Sequence, residues 1–156
     1  MNKNGFSLIE VNVCCILVAI LSAVSYPFIG EIRQSAIFKN EIRMLYGNLQ
    51  RAKIEAIKKN SYVVFTVNNG GYYIFVDDGA GGGVREDWIR QQNEKILTAH
   101  VFSDTVKMAG TTFPGGRTRF SGKMGVSGGR VILQSKSGSR SEVVVSLLGR
   151  IRVAKI

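Results

Sequence analysis

Between positions 11 and 29 the chain carries no Asp, Glu, Lys or Arg, and this run limits the possible folds more than any other feature. As a helix, residues 6–29 extend roughly 36 Å, enough to cross a hydrocarbon core of about 30 Å. An ordinary secretory signal places its cleavage site beyond the apolar stretch. Here the charged leader MNKNG comes first and no A-x-A-like site follows the run, so the helix is expected to stay in the mature chain. Lys3 lies on the leader side, and the first positive charge beyond the helix is Arg33. That asymmetry orients the leader to the cytoplasm and the rest of the chain outside it. Glu10 is the anomaly, because a carboxylate near the centre of an apolar helix costs about 2.5 to 3.5 kcal/mol and less toward an end. Either it has a partner or it snorkels to the headgroups on the leader side.

Past the membrane run, Phe38, Ile42, Leu45, Leu49, Ala52 and Ala56 recur at steps of four and three, which draws one apolar stripe along a helix. Lys39, Glu41, Arg43, Arg51, Glu55 and Lys58 are assigned to the other faces. One helix is therefore predicted from Phe6 to Lys59, about 80 Å long, with Pro27, Gly30 and Gly47 as places where it can kink. After Asn60 the pattern becomes strand-like. SYVVFTVN and YYIFVD flank the turn NNGG and predict a hairpin. KILTAHVF, TRFS, RVILQ, EVVVSLL and RIRVA follow as further strands, and residues 77–93 form a long, Gly-rich, exposed loop. The simplest way to bury these faces is an α+β fold, with the long N-terminal helix packed on an antiparallel β-sandwich of two sheets.

The segment GFSLIE, with a short basic leader before it and an apolar run after it, resembles the class III signal of type IV pilins and type II secretion pseudopilins. The resemblance implies that a prepilin peptidase cuts between Gly5 and Phe6 and methylates the new N-terminus at Phe6. It also implies that Glu10 aids subunit docking. Cleavage would place the Phe6 ammonium one helical turn from Glu10, on the same or an adjacent subunit. Ser7 replaces the commoner Thr, and Asn12 is a polar intruder in the helix. LQRAKIEAIKKNSYV and the closing pattern RVILQSKSGSRSEVVVSLLGRIRV are similar to the branch comprising pseudopilin H (GspH) and the minor pilin FimT. The organisation expected is a leader over 1–5, a transmembrane and filament-core helix over 6–29, its amphipathic continuation over 30–60, and a β-rich globular domain over 61–156. The expected location is the inner membrane, single-pass with a periplasmic domain, and then a pilus or pseudopilus.

The formal net charge is +10, and residues 107–156 hold ten Lys and Arg against one acid, Glu142. Such an imbalance suits a polyanion, or equally a solvated basic surface. In GRIRVAKI, Arg150 and Arg152 are two apart, so on a strand both face one side while Ile151 and Val153 face the core. Gly149 suits close approach to a ligand or a tight turn. Arg117 and Arg119 repeat the spacing, so the two pairs are candidates to line one phosphodiester groove. Pilins of the FimT type are associated with DNA capture in natural transformation through a G-R-x-R motif, which Gly149, Arg150, Ile151 and Arg152 match. The resemblance thus implies DNA binding at Arg150 and Arg152, and Arg117, Arg119 and Lys155 are added from their charge. The same positive face also suits acidic neighbouring subunits.

No catalytic set is legible. His100 is the sole histidine and is expected to pack or to lie at the surface. Asp77, Asp78, Glu86 and Asp87 lack calcium-loop spacing, and GAGGG lacks the Lys-Ser/Thr of a phosphate loop. Cys14 and Cys15 are neighbours and cannot staple the fold. No cofactor, metal or enzymatic activity is expected. The expected partners are other pilins or pseudopilins, prepilin peptidase, the inner membrane and DNA. The functions expected are those of a minor pilin of a type IV pilus or, alternatively, a type II secretion pseudopilin. A membrane-anchored enzyme is the third class, and it lacks catalytic residues.

Overall fold

The computed structural model describes residues 7–91, 93–123 and 126–156, and describes side chains throughout these except at 24–28. Helix α1 runs from Leu8 to Lys59 and is continuous through Pro27, Gly30 and Gly47. It ends where Asn60 turns to φ 48°. Ser61 N–H donates to Ala56 O and Asn60 N–H to Ile57 O, both at 3.2 Å, and together these bonds close a left-handed cap on the last carbonyls.

The chain divides into two compact units, Met1–Ser35 and Ala36–Ile156. In the first, every described side chain is exposed, including Leu8, Ile9, Val11, Val13, Ile16, Leu17, Val18, Ile20 and Leu21. Ser22 returns its hydroxyl to Val18 O at 2.8 Å, so that polar group is satisfied within the helix. Among the described residues no helix is long and apolar enough to cross a membrane. The described side chains of the apolar run end at residue 23 and resume at 29.

The second unit holds the core. The predicted stripe is realised, with Leu45, Leu49, Ala52 and Ala56 fully buried and Phe38 and Ile42 nearly so. Each large apolar side chain buried this way stabilises by roughly 1.5–3 kcal/mol. Eight strands follow: β1 (Tyr62–Asn68), β2 (Gly71–Asp77), β3 (Ile96–Val101), β4 (Val106–Thr111), β5 (Arg117–Phe120), β6 (Gly129–Ser135), β7 (Arg140–Val145) and β8 (Ile151–Lys155). They form two antiparallel sheets, ordered β3-β2-β1-β5 and β4-β6-β7-β8. Val63, Phe65, Ile74 and Val76 of the first sheet share one hydrophobic cluster with the helix stripe and with Val131, Leu133, Val143 and Val145 of the second.

Three expectations need correction. Strand β4 was not predicted, because Val106–Thr111 reads VKMAGT, with few strand formers and a register shift between Met108 and Gly110. The run EVVVSLL does not stay extended to Leu148, because β7 stops at Val145 and a tight turn follows. Glu41, placed on an outer face by the periodicity, is 6% exposed, because β3 packs over it.

The loop over 77–93 is exposed at Gly81, Gly82, Val84 and Arg85, yet it is tied down at its base. Asp77 is buried and takes Glu86 N–H at 2.7 Å and Trp88 N–H at 3.2 Å. Glu94, also buried, takes Gln91 N–H at 2.9 Å and Gly79 N–H at 3.2 Å. Trp88 sits at φ 66°, a left-handed conformation costly for a bulky residue, and these bonds hold it there. Val64 and Phe75 lie in register on the outer face of the first sheet and are nonetheless fully buried. A cover on that face accounts for it, and the loop, with Trp88 stacked on the neighbouring Arg119, is placed to supply one.

Candidate functional site

Gly5 and Phe6 lie outside the described residues. Glu10 stands exposed in the first turn of α1, its N–H donating to Ser7 O at 3.0 Å. Cys14 and Cys15 are free and exposed.

Part of the basic C-terminal third resolves into a face. In the second sheet Val131, Leu133, Val143 and Val145 point inward, so the alternate residues point out. Register then aligns Arg130, Val144 and Arg152 in one row across β6, β7 and β8, and Lys107, Gln134 and Arg140 in another across β4, β6 and β7. The two cations within each row stand two strands apart, about 10 Å, and the rows are separated by four residues, about 13 Å. Lys107, Arg130, Arg140 and Arg152 are all exposed. Arg130 is engaged by Glu142 at 3.1 Å, a surface pair worth about 0–1 kcal/mol. An open groove of about 480 Å³ runs beside this row, lined by Gly128, Arg130, Val144, Leu147 and Arg152 among others.

Arg150 precedes β8 in the turn from β7. That turn is closed by Gly149 N–H to Ser146 O at 2.8 Å, Ser146 N–H to Arg150 O at 2.9 Å and Arg150 N–H to Ser146 Oγ at 3.1 Å. Gly149 adopts φ 72°, which accounts for the glycine as a turn residue. From the helix, Lys53 Nζ donates to Gly149 O at 3.0 Å and fixes the turn from behind. Ile151 is buried as expected, whereas Val153 is 45% exposed because β8 is an edge strand. Lys155 is exposed opposite Ser141.

Arg117 and Arg119 do not join Arg150 and Arg152 on one sheet. They lie on β5 of the first sheet, and both are engaged with the long loop. Arg117 Nη1 donates to Trp88 O at 3.2 Å. The Arg119 guanidinium stacks between Tyr62 and Trp88, 4.5 and 4.6 Å from their ring centres. The R-x-R spacing is the same in both segments, but at β5 the arginines hold a loop.

Sequence reasoning counted Lys107, Arg130 and Arg140 as charge without assigning them a place. Their alternation was legible; their alignment with Arg152 depends on strand register. His100 and Glu41 were missed as a pair, since 59 residues separate them. Among the described residues no group of three or more His, Cys, Asp or Glu is placed to hold a metal, and Asp77 is already committed to backbone N–H groups.

A long N-terminal helix whose continuation packs on two antiparallel sheets defines a pilin-like subunit. The chain belongs to the GspH and minor pilin family: the family model described as type II transport protein GspH matches residues 41–149, and that of the prokaryotic N-terminal methylation motif matches residues 1–26. It is 31% identical over 83 residues to the pilin-like protein PilA1 of Thermus thermophilus, a match covering 51% of this chain and 52% of that one. The chain thus spans about half the length of that curated relative. Among solved structures, the minor pseudopilin EpsH from the type 2 secretion system of Vibrio cholerae superposes with a TM-score of 0.60. That match has 14% identity and covers 75% of this chain and 95% of the other. The type IV minor pilin FimU of Pseudomonas aeruginosa superposes at 0.56, with 16% identity and 74% and 87% coverage. At these identities the two structures establish the fold.

Proposed function

We propose that this chain is a minor pilin of a type IV pilus, assembled through its N-terminal helix with other pilins. The observation that carries the reading is the helix surface over 8–23, whose described apolar side chains are all exposed. Such a surface needs lipid before assembly and the helices of other subunits after it. Prepilin peptidase removes residues 1–5 by cutting between Gly5 and Phe6 and methylates Phe6, and Glu10 pairs with that ammonium during docking. The subunit waits in the inner membrane with its globular domain in the periplasm, and its role is structural, with no catalysis. Gly5→Ala is expected to leave the leader uncleaved, read as unshifted mass of the protein recovered from membranes. Normal processing of this variant contradicts the cleavage assignment.

The basic face of the second sheet supports DNA as a ligand, with Arg150 and Arg152 as its main contacts; Lys155, in register with the buried Ser141, falls on the opposite side of the sheet from Arg152 and is left out. Arg117 and Arg119 are left out of this site because they are engaged with the loop. Binding by phosphate neutralisation is largely independent of sequence and weakens steeply with salt. The test is a gel shift with the full chain in detergent across a salt series. Arg150→Ala with Arg152→Ala is expected to weaken binding and to flatten the slope of log affinity against log salt by about 2. No shift by the wild type at low salt, or an unchanged shift by the double variant, ends the DNA reading.

The match to the family model described as type II transport protein GspH supports a second reading, a minor pseudopilin of type II secretion. Deleting the gene separates the two. Loss of pili supports the first, and loss of protein export with pili intact supports the second.

A further inference from the structure

The turn from β7 to β8 exposes two leucines at its tip, Leu147 at 73% and Leu148 at 86%. The end of the Leu147 side chain lies over Gly128, where an added Cβ would come 3.1 Å from Leu147 Cδ2, while Leu148 is the more exposed of the two. Three hydrogen bonds within the turn and the Lys53 bond to Gly149 O hold the tip rigid. Arg150 and Arg152 flank it, and Glu142, the one acid of residues 107–156, is already paired with Arg130.

Resting on the DNA reading above, we propose that Leu147 and Leu148 form a wedge that enters duplex DNA between base steps while the basic face lies along the phosphates. Two leucines are far smaller than a protein interface of about 800 Å² per partner. A tip that dips into lipid would carry its cations in a ring around it. Here they continue away from the tip across the sheet, from the Arg130 and Arg152 row to the Lys107 and Arg140 row about 13 Å beyond. A rod-shaped polyanion laid over that face is met by cations along its length and by the leucines at one end. Apolar side chains of this kind unstack a base step, a cost that contacts to the kinked duplex offset. A rigid tip loses little conformational entropy on insertion. The cost is lowest at the flexible TA and CA/TG steps.

The experiment uses the full chain in detergent, a duplex carrying 2-aminopurine beside a central TA step, and low salt. Wild type is expected to shift the duplex and raise the 2-aminopurine fluorescence. Leu147→Ser with Leu148→Ser is expected to keep the shift and its salt dependence and to lose the fluorescence rise. Both positions are exposed, and the emission of the single tryptophan, Trp88, reports that the variant is folded. A shift without a rise in the wild type, or a rise retained by the leucine variant, overturns the wedge and leaves the DNA reading standing. No shift by the wild type at low salt overturns both. Hydrogen-exchange protection of residues 146–150 by anionic lipid micelles and not by duplex assigns the tip to lipid and overturns the wedge.

Discussion

Nε2 of His100 lies 2.7 Å from Oε2 of the buried Glu41, so a charge-assisted hydrogen bond ties α1 to β3 beside the rings of Tyr72 and Phe102. Glu41 Oε1 accepts Ser103 N–H at 3.2 Å, which extends the tie to the end of that strand. Glu41→Ala removes the acceptor for both donors and leaves them partly buried, at a cost of about 2 kcal/mol. For a unit of this size the unfolding midpoint should fall by about 5–10 °C. Melts followed by near-ultraviolet circular dichroism check this, and an unchanged midpoint contradicts it. Glu41→Gln keeps an acceptor and should lose less.

Burial raises the Tyr72 hydroxyl above its usual pKa of 10.0; the hydrogen bond from Asn48 opposes the shift and the nearby Glu41 adds to it. As pH rises past 10, the unfolded chain releases this proton while the folded chain keeps it. The associated stability is therefore complete below pH 10 and is lost as pH climbs through the folded value. Tyr72→Phe removes that dependence. It also costs about 1 kcal/mol at neutral pH through the loss of the Asn48 bond. The gap between wild type and variant should narrow from pH 9 to pH 11 in denaturant melts, and a constant gap refutes the assignment.

The helix stripe was legible because period alone decides which face of α1 is apolar, and the chain from Phe38 to Ala56 keeps that period without a break. Glu41 was illegible for the complementary reason. Its burial comes from a strand far along the chain, and no local pattern announces it. The hairpin of β1 and β2 was legible in its Asn-Asn-Gly-Gly turn, where Asn68 Oδ1 takes Gly71 N–H at 2.8 Å. The row that aligns Arg130 with Arg152 was not, because β5 leaves the second sheet to pair with β1 and the register of β6 to β8 is set in three dimensions. The two R-x-R segments show the limit most directly. Arg117 and Arg119 look like Arg150 and Arg152 in sequence, and only the fold over β5 gives the first pair to Trp88 and Tyr62.

Asp77 holds Trp88 in its left-handed conformation, and Arg119 holds its ring. Asp77→Ala removes the carboxylate oxygens that accept the Glu86 and Trp88 N–H groups, so Trp88 is expected to relax toward an ordinary φ and the stack on Arg119 to loosen. The stack itself contributes about 0.5–2 kcal/mol. Trp88 is the single tryptophan, so its emission reads this directly: Asp77→Ala and Arg119→Ala should each shift it to longer wavelength. Emission unchanged in both variants contradicts the anchoring of the loop.

Gly149 joins the fold to the proposed DNA contact. At φ 72° a side chain is strained, and a Cβ there would lie 3.2 Å from Val126 Cγ2. Gly149→Ala should therefore cost about 1–2 kcal/mol. Relief of that strain requires the turn to open, which displaces Gly149 O from Lys53 and Arg150 N–H from Ser146. Lys53→Ala removes one of these restraints without backbone strain and should destabilise by about 1 kcal/mol. If the turn sets the position of Arg150, both variants weaken DNA binding with no change in net charge for Gly149→Ala, and its salt slope falls toward that of Arg150→Ala. Stability lost by Gly149→Ala with DNA affinity and salt slope intact would show that Arg150 acts only as a nearby charge.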